Sequence, residues 1–101
     1  MDETTLLTLL RYDLNRLGAM PDDDYLRTLL RSAKLYLQEY GIKLPDETVG
    51  VDIEDFQTLI VGTAAWMYTK RRTGEGPPRY VTTLKNTILF RQVGGGGVRN
   101  A

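Results

Sequence analysis

The sequence contains no cysteine and no histidine. Their absence excludes disulfide frameworks, zinc fingers, thiol nucleophiles, imidazole metal ligands and catalytic triads that use histidine. The apolar runs are far shorter than the roughly 20 residues that cross a membrane, and the acidic N-terminus is unlike a signal peptide. The remaining reactive groups assemble no nucleophile, base and oxyanion site together. We therefore expect a soluble protein that is made inside the cell and is not an enzyme.

The charged residues, 13 basic and 13 acidic, sum to zero but lie in different parts of the chain. Residues 1–69 carry 12 acids and 6 bases, whereas residues 70–101 carry 7 bases and one acid. Two separate solvated faces would explain this division. An acidic and a basic face on one small domain would also favour head-to-tail association, in which heterologous contacts close into rings or continue as filaments.

One small globular domain is predicted by the length of 101 residues, of which 42% are apolar. A core of this size is modest and gains from burial against a partner. Apolar residues recur at helical spacing in four segments, which predicts an all-α bundle of four helices. The predicted helices cover 4–17, 22–40, 53–72 and a segment from Pro77 or Pro78 to about 92.

The third predicted helix is apolar on most of its sides, so we expect it at the centre of the bundle. Within it, the small residues 62–65 would let another helix approach closely, and Trp66 is expected in the core. Leu17 and Tyr40 extend the apolar stripes of the first and second helices. Tyr40, with Tyr36 one turn before it, is expected to flank the core or an interface.

The C-terminal part of the chain contains four consecutive glycines at 94–97. Glycines hold neither a helix nor a strand at low cost, so a flexible tail is predicted at 94–101, beyond a helical domain at 1–93. On the fourth helix, Leu89 and Phe90 lie away from the apolar stripe, and we expect them to face a partner.

Three consecutive acids, Asp22, Asp23 and Asp24, open the second predicted helix. Carboxylates at a helix N-terminus accept hydrogen bonds from free N–H groups and interact favourably with the helix dipole. Acidic clusters also bind calcium or magnesium, but this one lacks the alternating spacing and the trailing glutamate of a calcium loop. Capping is therefore the favoured interpretation, with a metal site as the alternative.

Three consecutive bases, Lys70, Arg71 and Arg72, fall in the last turn of the third predicted helix. Cations are favourable there because the C-terminal end of the helix dipole is negative. With Arg79 and Arg91 further along, the same run also resembles a nucleic-acid patch, since phosphate binding needs clustered cations. The sequence leaves both interpretations open.

Three segments carry a resemblance to a known family. Residues 22–44 have an acidic start, a leucine-rich stripe, a central alanine and a glycine that ends the helix. Residues 52–72 form a long central helix that ends in tyrosine and basic residues, and 80–93 form a short amphipathic helix. Over about residues 4–93 the chain resembles the small head–tail connector proteins of tailed bacteriophages and prophages, also called adaptor, head-completion or DNA-packaging proteins.

The resemblance implies a structural virion protein at the head–tail junction, assembled in the cytoplasm of the bacterial host. Such proteins form a ring of about twelve copies beneath the portal. The ring extends the DNA channel and presents a platform for the tail or stopper protein. The implied partners are therefore further copies of the chain, the portal, the tail or stopper protein and the DNA in the channel, with no cofactor and no membrane.

The charged residues receive roles in this assembly from the same resemblance. Asp22, Asp23 and Asp24 are expected on one side of a subunit contact. The loop at 42–51 is expected to contact a neighbouring subunit or the tail side, and 94–101 is expected to dock on the portal. The candidates for interface or channel electrostatics are Lys70, Arg71, Arg72, Arg79, Arg91 and Arg99.

Two other interpretations remain open at this point. One is a small helical DNA-binding regulator that uses the basic C-terminal third against phosphates. Against it, the sequence lacks a convincing short turn followed by a recognition helix with base-reading side chains. The other is a helical adaptor between proteins of a different machine.

Overall fold

A computed structural model describes residues 3–18, 21–43, 53–70 and 73–94, with the side chains of 93 and 94 excepted. Among these residues all regular secondary structure is helical, and no strand is present. The four α-helices are α1 (Glu3–Arg16), α2 (Asp23–Glu39), α3 (Ile53–Thr69) and α4 (Arg79–Gly94). The prediction of an all-α protein with four helices is therefore confirmed.

The central helix of the bundle is α3, which packs against each of the other three helices. Nine of its 17 residues are buried, as expected for a helix that is apolar on most of its sides. α1 and α2 also pack against each other, so the core lies mainly between α1, α2 and α3. Its fully buried leucines are Leu6, Leu10, Leu14, Leu26, Leu37 and Leu59.

Two residues that extend the predicted apolar stripes lie outside this core. Leu17 is 62% exposed, because α1 ends at Arg16 and the chain turns away at Gly18, whose φ is +84°. Tyr40 is exposed at the end of α2, beside Gly41 with φ at +98°. Both glycines adopt the left-handed conformation that commonly ends a helix. The buried part of each apolar stripe therefore ends before the glycine, at Leu14 in α1 and at Leu37 in α2.

The C-terminal end of α3 lies three residues before its predicted position. The helix ends at Thr69, and the N–H of Lys70 still donates to the carbonyl oxygen of Trp66 at 2.8 Å. Lys70 therefore follows the helix directly, as a cation suited to the negative end of its dipole. Arg71 and Arg72 lie outside the described residues.

The fourth helix begins immediately after the proline pair. The carbonyl oxygen of Pro78 accepts hydrogen bonds from the N–H groups of Val81 and Thr82, so Pro78 precedes α4 rather than starting it. α4 continues to Gly94, so the first glycine of the run belongs to the helix and not to the predicted tail. The rest of that tail, 95–101, lies outside the described residues.

The small-residue patch of α3 is where α4 approaches most closely. A Cβ atom built on Gly62 would lie 2.8 Å from Cγ2 of Val81 and 2.9 Å from the hydroxyl oxygen of Tyr80. Those separations are shorter than real contacts, so only glycine allows α4 to lie here. The prediction that 62–65 admit another helix is confirmed at Gly62.

Two further buried residues of α3 differ in whether their polar atoms form hydrogen bonds. Trp66 is buried, as predicted, and its indole N–H donates to the carbonyl oxygen of Glu75 at 2.8 Å. This bond fixes the turn that leads to α4. Thr63 is fully buried, and its hydroxyl has no hydrogen-bond partner among the described residues.

Candidate interaction surfaces

The acidic cluster lies at the N-terminus of α2, where helix capping was the favoured interpretation. The carboxylate of Asp22 accepts a hydrogen bond from the N–H of Tyr25 at 2.8 Å, which confirms the cap. Asp23 pairs with Arg11 of α1, whereas the side chain of Asp24 is 97% exposed. Within the described parts of the chain, no three acidic residues are placed to hold a metal ion.

Ion pairs neutralise much of the surface that joins α1 to α2. The guanidinium of Arg27 lies 3.0 Å from the carboxylate of Glu3 and 3.3 Å from that of Asp24. With the pair between Arg11 and Asp23, this surface carries both signs of charge and is not an acidic face. Because all these side chains are exposed, each pair contributes only about 0.2–1 kcal/mol to stability.

Three of the basic candidates, Lys70, Arg79 and Arg91, lie in the part of the chain that the structure describes. Lys70 pairs with Glu75 at 3.5 Å, and Arg91 pairs with Asp55 at 3.5 Å. Arg79 is exposed and has no ion pair with the described residues. Arg79 and Arg91 lie near opposite ends of α4, about 18 Å apart along the helix. Arg71, Arg72 and Arg99 lie outside the described residues.

An open groove of about 610 Å³ follows the exposed side of α4, and we call it the α4 groove. Phe90, three residues beyond its last lining residue, continues the same side and is 77% exposed. Leu89, which was also expected to face a partner, is instead half-buried and packs on the core. The α4 groove is lined by Arg79, Tyr80, Thr83, Leu84 and Thr87.

A second exposed surface lies on α2, on the side opposite its buried stripe. Leu35 is 56% exposed there, whereas Leu37, two residues further on, is fully buried in the core. Glu39, one turn further on, is exposed and has no ion pair with the residues that the structure describes. We call the line formed by Arg31, Leu35 and Glu39 the α2 ridge, since residues four apart share a helix face.

Polar contacts attach α4 to the end of α2. The ammonium of Lys85, which is 9% exposed, lies 3.7 Å from the ring centroid of Tyr40 and 5.8 Å from that of Tyr36. The backbone N–H of Lys43 donates to the side-chain oxygen of Gln92 at 2.8 Å, and the amide of Gln92 donates back to the Lys43 carbonyl. Cation–π attraction and a two-way hydrogen bond thus supplement a small apolar contact.

Tyr80 lies beside a cleft of about 210 Å³ between α1, α3 and the start of α4. Burial raises the pKa of its hydroxyl above the usual value, and the nearby Asp13 carboxylate raises it further, while Arg16 lowers it. The neutral phenol is therefore the stable form at neutral pH.

Sequence reasoning located Arg79 but missed the side chains around it. Tyr80, Thr83 and Thr87 have no distinguishing spacing until the buried side of α4 is known. Leu35 carried one signal, because it is a leucine outside the apolar stripe of its helix. In the loop predicted at 42–51, Ile42 is buried and the remainder from residue 44 lies outside the described residues.

Comparisons with known proteins found no match among family models, curated proteins or solved structures. Among the helices that the structure describes, none combines the length and the apolar character needed to span a membrane.

Proposed function

We propose that the chain is a structural protein of the head–tail junction of a tailed bacteriophage, and that its copies form a ring between the portal and the tail or stopper protein. The proposal depends on the sequence resemblance of 4–93 to head–tail connectors. In this proposal the protein acts in the virion by contact and not by chemistry, after assembly in the host cytoplasm, and the ring continues the DNA channel.

The observation that supports an assembly role is the amount of apolar surface left exposed on α2 and α4. Phe90 and Leu35 are more than half exposed, although the domain is small and its core would gain from their burial. Exposed apolar surface next to polar residues is typical of interaction sites. A ring subunit needs two such surfaces, because it contacts one neighbour on each side.

The experiment is the mass of the chain in solution, measured by light scattering over a concentration series, first alone and then with the portal protein from the same genome. A closed oligomer, or stoichiometric capture on the portal ring, is the expected result. A chain that remains monomeric or dimeric and does not bind the portal would contradict the proposal.

A DNA-binding role is the second candidate, and the exposed stripe of α4 favours it. Arg79, Thr83, Asn86 and Phe90 follow one another along the outer side of a helix that contains no acidic residue. Arginine, asparagine and threonine are side chains that contact bases and phosphates. Binding of the isolated chain to duplex DNA, weakening steeply with salt, would support this role.

A further inference from the structure

Two charged residues lie at helix ends where the helix dipole disfavours them. Arg79 is the first residue of α4, where the dipole favours an anion, and Glu39 is the last residue of α2, where it favours a cation. Neither has an ion pair with the described residues. Folding of a single copy therefore does not explain the sign of either charge.

Each of these charges has an apolar feature one helical turn away. On α2, the exposed Leu35 precedes Glu39 by four residues. On α4, Thr83 in the middle of the α4 groove follows Arg79 by four residues. Side chains four apart lie about 6 Å from each other on a helix surface. Glu39 on the α2 ridge and Arg79 in the α4 groove thus have opposite charges, and each lies one helical turn from a side chain of its own surface, Leu35 or Thr83.

When α2 of one copy is placed antiparallel to α4 of another, the correspondence between the α2 ridge and the α4 groove extends by one more turn. Arg31 precedes Leu35 by four residues on the α2 ridge, and Thr87 follows Thr83 by four on α4. Near that end of α4, the Asp55 carboxylate beside Arg91 keeps 41% of its side-chain surface exposed. An incoming Arg31 would therefore approach the Arg91–Asp55 pair, whose carboxylate is accessible, as Glu39 would approach Arg79.

We infer that the α2 ridge of one copy docks into the α4 groove of a second copy, with Leu35 in the groove and Glu39 paired with Arg79. This inference rests on the proposed function, since it names the contact between neighbouring subunits. The two surfaces differ, so the contact is heterologous and each copy keeps one of them free for the next. Repetition of the contact generates a ring or a filament.

Nucleic acid is a poorer occupant of the α4 groove than a second copy. Of the three cations on α4, Lys85 has a cation–π contact with Tyr40 and Arg91 is paired with Asp55, whereas Arg79 has neither kind of contact with the described residues. Phosphate binding depends on several cations acting together. A groove with one such cation and a mainly apolar lining instead fits an apolar side chain with a neighbouring carboxylate.

Sedimentation equilibrium of the full chain up to about 1 mM tests the contact, with association constants compared between variants. Arg79→Glu and Glu39→Arg should each lower the association constant about tenfold or more, because each places like charges opposite one another. A mixture of the two variants should recover the wild-type association, since every contact in an alternating assembly is again between opposite charges. The double variant should recover it as well.

The controls separate the contact from folding and from net charge. Both reversals place the favoured sign at a helix end, so the thermal stability of each variant should equal or exceed that of the wild type. Lys43→Glu changes the net charge by the same amount as Arg79→Glu at an exposed position outside both surfaces, and should leave association unchanged. Single reversals that associate like the wild type, or a mixture that does not recover, would overturn the inference.

Disulfide cross-linking detects the contact even when association is weak. The chain contains no cysteine of its own, so every disulfide formed joins introduced cysteines. A Leu35→Cys chain mixed with a Thr83→Cys chain should form the mixed disulfide in preference to either homodimer, alone or on the portal ring. Preferential Thr83→Cys homodimers would indicate a two-fold contact between α4 helices and would overturn the inference. Duplex DNA that binds the wild type and protects position 83 would also overturn it.

The outcomes distinguish this inference from the proposed function. Capture of the chain on the portal without the mixed disulfide overturns the subunit contact and leaves the connector proposal standing. Self-association through the two surfaces without any portal binding supports the subunit contact and overturns the connector proposal. A chain that shows neither self-association, nor the mixed disulfide, nor portal capture overturns both.

Discussion

α1 and α4 both pack on the central helix α3, but they are attached to it by different kinds of contact. The buried side chains of α1 are four leucines, and three of them have no exposed surface. α4 contributes two nearly fully buried apolar residues, Val81 and Ile88, and supplements them with the cation of Lys85 and the amide of Gln92. α1 is therefore part of the hydrophobic core, whereas α4 is held by a mixture of apolar and polar contacts, as at an interface between two proteins.

The difference shows where a small domain keeps surface for a partner. α1 turns most of its bulky apolar side chains inward, whereas α4 has apolar side chains on two sides, with Phe90 and Tyr80 exposed. A helix attached by few buried contacts also opens locally at lower free energy than the rest of the molecule. We therefore expect α4 to be the least protected of the four helices against hydrogen exchange.

The largest effect is expected from Leu10→Ala on α1. The side chain is fully buried, so its removal should lower the free energy of unfolding by about 2–5 kcal/mol. Chemical denaturation followed by circular dichroism measures this loss, which should affect all four helices together. A loss below about 1 kcal/mol would show that α1 is not part of the cooperative core.

A smaller and more local effect is expected from Gly62→Ala. The new methyl group would lie 2.8 Å from Val81, and overpacking of this kind costs about 1–3 kcal/mol. Hydrogen exchange should accelerate in α4 more than in α1. Gly76→Ala is the matched control, because a Cβ atom there meets nothing within 4 Å. Equal acceleration in α1 and α4 would contradict the local attachment of α4.

Gln92→Ala tests the polar part of that attachment. The substitution removes both hydrogen bonds with the backbone of Lys43 and should cost about 1 kcal/mol, with faster exchange near the C-terminal end of α4. Gln38→Ala, at an exposed position of α2, is the control and should have no such effect. Identical exchange profiles for the two variants would mean that the Gln92 bonds contribute nothing.

The smallest effect on stability is expected from Phe90→Ser, although it removes a large apolar side chain. Phe90 is mostly exposed, so the free energy of unfolding should change by less than about 0.5 kcal/mol. Ile88→Ala, two residues earlier on the buried side of α4, should cost about 2–5 kcal/mol. Thermal denaturation of both variants gives the comparison, and a large loss for Phe90→Ser would place its ring in the core.

Most of the fold could be predicted from the sequence because leucine spacing, helix-ending glycines and the Asp22 cap are local signals. The central position of α3 also followed from its composition alone. Pairings between distant residues could not be predicted, since the contact of Lys85 with Tyr40 and that of Arg91 with Asp55 depend on how the helices align. For the candidate site, Arg79 was found by its charge, whereas Leu35 gained meaning only once the buried side of α2 was known.

The buried indole of Trp66 also provides a spectroscopic reporter. It is the only tryptophan of the chain, and the ring centroid of Tyr36 lies 5.4 Å away, close enough for efficient energy transfer to the indole. Loss of the hydrogen bond to Glu75 on unfolding would place the indole in water and shift its emission to longer wavelength. Because Trp66 is buried and belongs to neither proposed docking surface, its fluorescence should report folding without interference from association.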